Sequence, residues 1–236
     1  VKQQLAKFHC SCPERIEIHD PTRSSLIKEF SKSYYELRKH KGITYKDAKK
    51  QATSNLVYAA LLVKNGHADG TLSGAVETTS NVVKTAIWVL GKATHVKTIS
   101  SCFLIFPKSH EPMIYADCGL VIEPNDEELV DITIAASQSC KSLLNTGPRI
   151  ALLSFSTKGS AKHRNTDKIL SALKKLKLLE PELLVDGELQ FDAAIDSAVG
   201  KIKAPESKVA GTANVMIFPN LDAGNIAYKI TQRLGN

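Results

Sequence analysis

The sequence predicts an α/β protein with a largely parallel sheet, on two observations. From residue 99 onward, short apolar segments alternate with amphipathic segments, a pattern typical of strands that alternate with helices. The most apolar of these segments, 99–106, carries Cys-Phe-Leu-Ile-Phe in succession, which predicts a strand buried on both faces. Ligands of such sheets bind beyond the carboxyl ends of the strands, so the loops there are the first places to look for a site.

The residues before 99 predict helices. Apolar residues recur every three to four positions over 22–40, which is the period of an amphipathic helix. Gly42 ends that helix, and Thr44 is the expected N-cap of a second helix, 44–64. A third helix is predicted over 78–90.

The rest of the chain is predicted to alternate regularly. Strands are expected at 113–117, 119–122, 149–154, 183–185 and 215–218, and helices at 125–144, 163–179, 190–199 and 224–234. The polar stretch 91–98 precedes the first strand. It predicts a boundary between a first domain, residues 1–97, and a second domain, residues 98–236.

Composition narrows the classes of function. The 236 residues carry a net charge of +7, which favours an anionic partner. The basic residues are spread along the chain and aromatic residues make up only 6%, so the pattern of a nucleic-acid-binding protein is missing. No apolar run approaches the roughly 20 residues of a membrane span. We therefore expect a cytoplasmic protein that binds a small anionic molecule, and neither nucleic acid nor a membrane.

The five cysteines predict neither a disulfide framework nor a metal site. Cys10 and Cys12 stand beside His9, but no second pair at ligand spacing follows them. Free thiols in a reducing compartment are the expected state, and no bound metal is expected.

The loop 67–80, HADGTLSGAVETTS, combines small residues with many hydrogen-bond donors. Gly74 lets the backbone approach an anion closely, and the hydroxyls of Ser73, Thr78 and Thr79 suit phosphate oxygens. Lys84 follows one to two turns into the next predicted helix. The alternative is an ordinary N-capped helix with a surface lysine.

A second polar loop follows the predicted strand 149–154. Ser156, Thr157, Gly159 and Ser160 lie close together in it and predict a cradle for an oxyanion. The loop lacks the Gly-Lys-Ser/Thr ending of a P-loop. A flexible polar loop without a ligand is the alternative.

Three other segments carry candidate polar residues. The turn 186–192 holds carboxylates that act as bases or cap a helix. In the helix 224–234, Asn225 and Lys229 are four residues apart on one face, so both are placed to reach one ligand. Arg38 belongs to a basic run at a helix end, which by spacing alone is a solvated end that complements the helix dipole.

Taken together, the loops resemble those of phosphate acetyltransferases (phosphotransacetylases). The matching stretches occur in family order from Tyr34 to Arg233. They are YYELRKHKGIT, ADGTLSGAVETT, SSCFLIF, YADCGLVIEPNDEEL, PRIALLSFST, LLVDGELQFDAAI, VAGTANVMIFPNLDAGNIAYK and TQR. The sibling phosphate butyryltransferases share part of this pattern, but Leu-Ser-Gly-Ala and Ser-Phe-Ser-Thr are closer to the acetyl enzymes.

The resemblance implies a fold and a reaction. The fold is two α/β domains with parallel-rich sheets and an inter-domain cleft, similar to isocitrate and isopropylmalate dehydrogenases, and usually a homodimer. The reaction is reversible transfer of an acetyl group between coenzyme A and inorganic phosphate, by direct attack of the thiol on acetyl phosphate in a ternary complex. Coenzyme A is a substrate, and the resemblance implies neither a cofactor nor a metal.

The resemblance also implies roles for particular residues. Arg38 matches a family arginine near the substrate phosphate or coenzyme A, and Lys84 falls where the family has a second arginine. The family's serine, arginine and catalytic aspartate belong to a closing motif expected beyond Asn236. A rival hypothesis is a non-catalytic, acetyl-CoA-sensing module similar to phosphotransacetylase.

Overall fold

The computed structural model describes residue 7 and residues 16–235, apart from 95 and 109. Cys10 and Cys12 therefore lie outside the described residues. The chain divides into two compact units, Val1–Thr94 and His95–Asn236. The sequence predicts a domain boundary three residues later, after 97, and that boundary stays a prediction.

The first unit is helical in its described part. Its elements are α1 (Ile27–Arg38), a 3₁₀ turn (Lys39–Lys41), α2 (Tyr45–Ala52), α3 (Asn55–Lys64), α4 (Thr79–Thr85) and a π-helical turn (Ala86–Leu90). Phe30, Tyr34, Leu61 and Val89 are almost completely buried in its core. This core packs α1 and α3 against the π-helical turn, which fixes where their neighbouring polar residues lie.

The single helix predicted over 44–64 is wrong, because the segment forms two helices. Thr44 caps α2 as predicted, in a capping box with Asp47. The helix ends at Ala52, where the Thr53 hydroxyl donates to the Lys50 carbonyl. Ser54 then takes an extended conformation and α3 begins. Hydroxyl residues that bond nearby backbone groups compete with helix continuation, which accounts for the break.

The second unit contains a five-stranded sheet in the order β1-β2-β5-β3-β4. Its strands are β1 (Cys102–Ile105), β2 (Met113–Ala116), β3 (Ile150–Leu153), β4 (Val185–Leu189) and β5 (Val215–Ile217). Only β1 pairs antiparallel, with β2; the other neighbours are parallel. The mixed α/β fold with a mostly parallel sheet is therefore confirmed.

Helices cover this sheet and connect its strands. They are α5 (Asp126–Ser139), continued by a π-helical turn (Cys140–Leu144), α6 (Arg164–Leu179), α7 (Phe191–Ile195), α8 (Ser197–Lys203) and α9 (Leu221–Leu234). Separate apolar clusters fill the two faces of the sheet, one around Ile114 and Leu152 and the other around Leu153 and Met216. Burial on both faces explains the continuous apolar strands β2, β3 and β5. The prediction that 99–106 is a strand buried on both faces is wrong, because β1 is an edge strand that is only partly buried and leaves Leu104 and Phe106 exposed.

Two other predicted elements are wrong, and the strand expected at 183–185 is displaced to Val185–Leu189. The strand expected at 119–122 is a turn, because the Asp117 carboxylate accepts hydrogen bonds from the backbone N–H groups of Gly119 and Leu120. The helix expected at 190–199 is interrupted at Asp196, which is extended and caps α8 through its side chain. In both places a short acidic side chain binds local backbone donors.

Candidate active site

The loop 154–160 lies at the carboxyl end of β3, beside the end of the parallel strand β4. Ser156 and Thr157 are buried, whereas Gly159 and Ser160 are exposed. The backbone N–H of Ser154 donates to the carbonyl of Leu189, which holds the start of the loop against β4. The predicted oxyanion cradle is therefore placed where ligands bind in parallel sheets.

Donors of this loop bind a carboxylate of the chain itself. Glu188, in β4, is 1% exposed. Its Oε1 atom accepts from the Ser156 hydroxyl at 2.9 Å and from the Gly159 backbone N–H at 2.7 Å. Its Oε2 atom has no hydrogen-bond partner among the described residues. The direct contact of Ser156 and Gly159 with a substrate stays a prediction, since in this structure both donate to Glu188.

The remaining loop residues complete a hydrogen-bond network. Thr157 Oγ1 accepts from the Gln190 backbone N–H at 2.9 Å and lies 3.2 Å from Gln190 Oε1. The Ser160 hydroxyl accepts from the Thr157 backbone N–H and lies 3.1 Å from the Ser156 hydroxyl. The loop is therefore held by buried contacts, which disagrees with the alternative of a flexible polar loop. Its exposed hydroxyl is that of Ser160.

An ion pair joins the same loop to β4. Lys158 pairs with Asp186 and also donates to the Gly187 carbonyl at 3.1 Å. Burial raises the pKa of the Asp186 carboxyl, but hydrogen bonds from Lys158, Ser207 and the Gly187 backbone outweigh it, so the pKa lies below its ordinary value. Asp186 is consequently ionised at neutral pH and holds the lysine.

The helix α9 carries the next two predicted residues. Asn225 donates its side-chain amide to the Cys118 carbonyl at 3.2 Å. The Lys229 ammonium lies 5.1 Å from the centre of the Tyr228 ring, which itself stacks on Phe103. Lys229 is exposed and keeps its charge available, whereas the amide of Asn225 already has a backbone partner.

The start of α9 approaches the end of β2 closely. A Cβ atom at Gly224 would lie 2.4 Å from the Asp117 carbonyl oxygen and 3.0 Å from the Cys118 sulfur. A side chain at this position would push the helix away, so the glycine is required for the close approach. Asn225 reaches the Cys118 carbonyl because of this contact.

Cys118 is predicted to resist thiol reagents in the folded protein. Burial, together with the neighbouring Asp117 and Cys102, raises its pKa to about 12. At pH 7.5 we expect a maleimide to label it far more slowly in native protein than in urea, as followed by peptide mass spectrometry. Equal labelling rates in the two states would contradict the buried position.

In the first unit, the predicted anion loop precedes α4. Ser73, Gly74, Thr78 and Thr79 are exposed, and Gly74 has a φ of +108°. Thr78 is the N-cap of α4, since its hydroxyl accepts from the Asn81 backbone N–H at 3.2 Å. Lys84 is exposed in the last turn of this short helix. The capped helix predicted as the alternative is therefore present, and the phosphate contacts of this loop stay a prediction.

Arg38, the last residue of α1, stacks on an aromatic ring. Its guanidinium carbon lies 4.5 Å from the centre of the Trp88 ring, within the range of a cation–π contact. No carboxylate of the described residues pairs with it, whereas its neighbour Lys39 pairs with Glu36. Arg38 is half-buried, which differs from a fully solvated helix end. Sequence reasoning missed Trp88, whose only signal is that it is the single tryptophan.

Two absences apply to the described residues only. No group of three or more His, Cys, Asp or Glu side chains there is arranged to hold a metal ion. No helix in that part of the chain combines the length and apolar character needed to cross a membrane.

Comparisons with known proteins agree with one another. Residues 1–236 match the family described as Phosphate acetyl/butaryl transferase. Phosphate acetyltransferase of Thermoanaerobacterium thermosaccharolyticum is 43% identical over 93% of this chain and 69% of the relative. That of Clostridium acetobutylicum is 42% identical over 99% of this chain and 71% of the relative. The structure of EutD phosphotransacetylase from Staphylococcus aureus matches with a TM-score of 0.83 and 36% identity, over 99% of this chain and 71% of that one.

Proposed function

Because the chain belongs to the phosphate acetyl/butyryl transferase family, we propose that it catalyses reversible acetyl transfer between coenzyme A and inorganic phosphate. The observation that carries the proposal is the match of residues 1–236 to this family, together with relatives named phosphate acetyltransferase at 42–43% identity. A branched-chain phosphotransacylase structure is only 23% identical and supports the fold alone. Acetyl is favoured over butyryl as the transferred group, because the relatives at 42–43% identity are named phosphate acetyltransferase.

The proposed reaction is a direct transfer in a ternary complex. The coenzyme A sulfur forms a bond to the carbonyl carbon of acetyl phosphate, and the bond from that carbon to the phosphate oxygen breaks. The thiol proton passes to a carboxylate base, and phosphate leaves with the electron pair of the broken bond. Negative charge develops on the carbonyl oxygen and on the leaving phosphate, so fixed cationic and hydrogen-bond donors lower the barrier.

Arg38 and Lys84 are the proposed cations of the first unit. Arg38 offers a planar fork of N–H donors that matches phosphate oxygens, and Lys84 supplies an exposed point charge. The exposed Ser73, Gly74, Thr78 and Thr79 are the proposed phosphate contacts in the same unit. Together these residues give the first unit two charges and several neutral donors for a phosphate group.

In the second unit, some of the proposed substrate-binding residues are exposed, and others already have hydrogen-bond partners within the protein. Ser160 and Lys229 are exposed and are proposed to contact substrate directly. For Ser156, Thr157, Gly159 and Asn225, a role in substrate binding is also proposed. Their present hydrogen bonds support the reading that they shape the loop and the helix start from which the exposed donors project.

The finer properties implied by the resemblance remain proposals. They are the isocitrate dehydrogenase-like architecture, the domains 1–97 and 98–236, the homodimer, the cytoplasmic location and the lack of a cofactor other than coenzyme A as substrate. The homodimer is tested by light scattering on the purified protein. A non-catalytic, acetyl-CoA-sensing module is the alternative function.

The test is an assay of thioester formation. The protein, expressed from its complete gene, is mixed with acetyl phosphate and coenzyme A in the presence of a chelator, and the thioester is followed by absorbance. We expect turnover without added metal, and a lower kcat/KM with butyryl phosphate. A folded protein that binds coenzyme A but forms no thioester would overturn the proposal in favour of the sensing module.

A further inference from the structure

Two residues of the first unit that are distant in sequence form one contact. Arg38 ends α1, and Trp88 lies in the π-helical turn Ala86–Leu90, with the guanidinium 4.5 Å from the ring centre. The indole is 41% exposed, so the contact lies at the surface of the unit. A cation on an aromatic face at such a site is held by an attraction that does not use its N–H donors.

The core of the unit fixes both partners. Tyr34, one helical turn before Arg38, is buried, and Val89, next to Trp88, is 1% exposed in the same apolar cluster. Neither partner depends on a mobile loop for its position. The guanidinium and the indole are therefore brought together before any ligand arrives, which reduces the entropy lost on binding.

The edge of the guanidinium has no partner among the residues that the structure describes. Neither an ion pair nor a hydrogen bond joins it to a described residue. Burial raises the pKa of the nearby Tyr34 hydroxyl against the opposing effect of the Arg38 charge, so this phenol is neutral at pH 7 and does not neutralise the arginine. An arginine that is held against an aromatic ring, and whose in-plane N–H donors contact no described residue, suits the oxygens of a phosphate group.

We infer that Trp88 is a positioning residue, which holds Arg38 flat against the indole so that its N–H edge faces a substrate phosphate. This inference rests on the proposed function and names the chemistry of the site: a phosphate group, carried by acetyl phosphate or by coenzyme A. Lys84 precedes Trp88 by four residues in the same helical run, so it adds a second positive charge close to this side of the unit.

Trp88→Leu tests the role, because it keeps an apolar side chain and removes the aromatic face. We expect an about two- to five-fold rise in the KM of one phosphate-bearing substrate, as for the loss of an exposed cation–π contact. Separate titrations of acetyl phosphate and coenzyme A show which substrate has the phosphate that Arg38 binds. Trp88→Phe should recover most of the loss. Ile87→Ala, at the neighbouring exposed residue, is the matched control and should leave KM unchanged.

A double-mutant cycle separates positioning from a general structural effect. If Trp88 acts through Arg38, Trp88→Leu should add no further loss in an Arg38→Ala background. An equal loss in both backgrounds, or an unchanged KM in Trp88→Leu alone, would overturn the inference. The cycle compares KM values between variants, so its result can contradict the role of Trp88 even when the wild type is an active acetyltransferase.

Fluorescence provides a reading that does not depend on turnover. Trp88 is the only tryptophan, so its emission reports on the stacked guanidinium. We expect inorganic phosphate to change the emission of the wild type and to leave that of Arg38→Ala unchanged. A wild type without turnover would overturn the proposed function. The titration would still test the inference about Trp88, because equal responses of the wild type and Arg38→Ala to phosphate would contradict that inference.

Discussion

Arg38→Ala is expected to lower kcat/KM for acetyl transfer roughly 30- to 1,000-fold, a loss of about 2–4 kcal/mol in transition-state stabilisation. The guanidinium is half-buried against Trp88, and no described carboxylate pairs with it. Its full charge is therefore available to a leaving phosphate, which alanine cannot stabilise. The measurement is steady-state kinetics with each substrate varied in turn, beside a thermal melt that confirms folding.

Two further variants make this result specific. Arg38→Lys keeps the charge and loses the two-pronged fork, so an intermediate rate is expected. Lys41→Ala removes an exposed charge from the 3₁₀ turn after α1 and should behave like the wild type. Near-wild-type kinetics for Arg38→Ala would show that the residue is an ordinary helix end and that its match to the family arginine carries no function here.

Glu188→Ala is expected to lower the free energy of unfolding by about 3 kcal/mol. The change removes the acceptor of two donors, the buried Ser156 hydroxyl and the Gly159 backbone N–H. Each such loss costs about 1–3 kcal/mol. Urea denaturation followed by circular dichroism measures the change, provided that the slope of the transition is compared as well as its midpoint.

Matched variants test whether the hydrogen bonds are the cause. Ser156→Ala removes one of the two donors, so its effect and that of Glu188→Ala should be less than additive when combined. Glu182→Ala removes an exposed carboxylate of the same unit and should change stability by less than about 0.5 kcal/mol. A Glu188→Ala protein as stable as the Glu182→Ala control would contradict the role of the buried carboxylate.

Local patterns account for what was predicted correctly. The strand β3 and the helix α6 follow from apolar periodicity, and the cap of α2 follows from Thr44 three residues before Asp47. These features depend on residues within one or two turns of each other. The sequence therefore carries the information for them in a short window.

Local patterns gave wrong predictions where a polar side chain formed hydrogen bonds with the nearby backbone. Asp117 turns the chain after β2, and the hydroxyl of Thr53 accompanies the break between α2 and α3. In each case the apolar pattern continues through the break. Periodicity cannot register a single side chain that competes with the regular backbone hydrogen bonds.

By itself the sequence determined the α/β class, the order of most elements and membership of an acyltransferase family, because periodicity and ordered motifs are properties of the chain alone. Only the tertiary structure decided the partners at the candidate site. Glu188 meets a loop that lies about thirty residues earlier in sequence, because β3 and β4 pair in parallel. Trp88 meets Arg38 fifty residues away, because one core packs α1 against the π-helical turn. Contacts between distant residues depend on strand order and packing, which no local pattern in one sequence encodes.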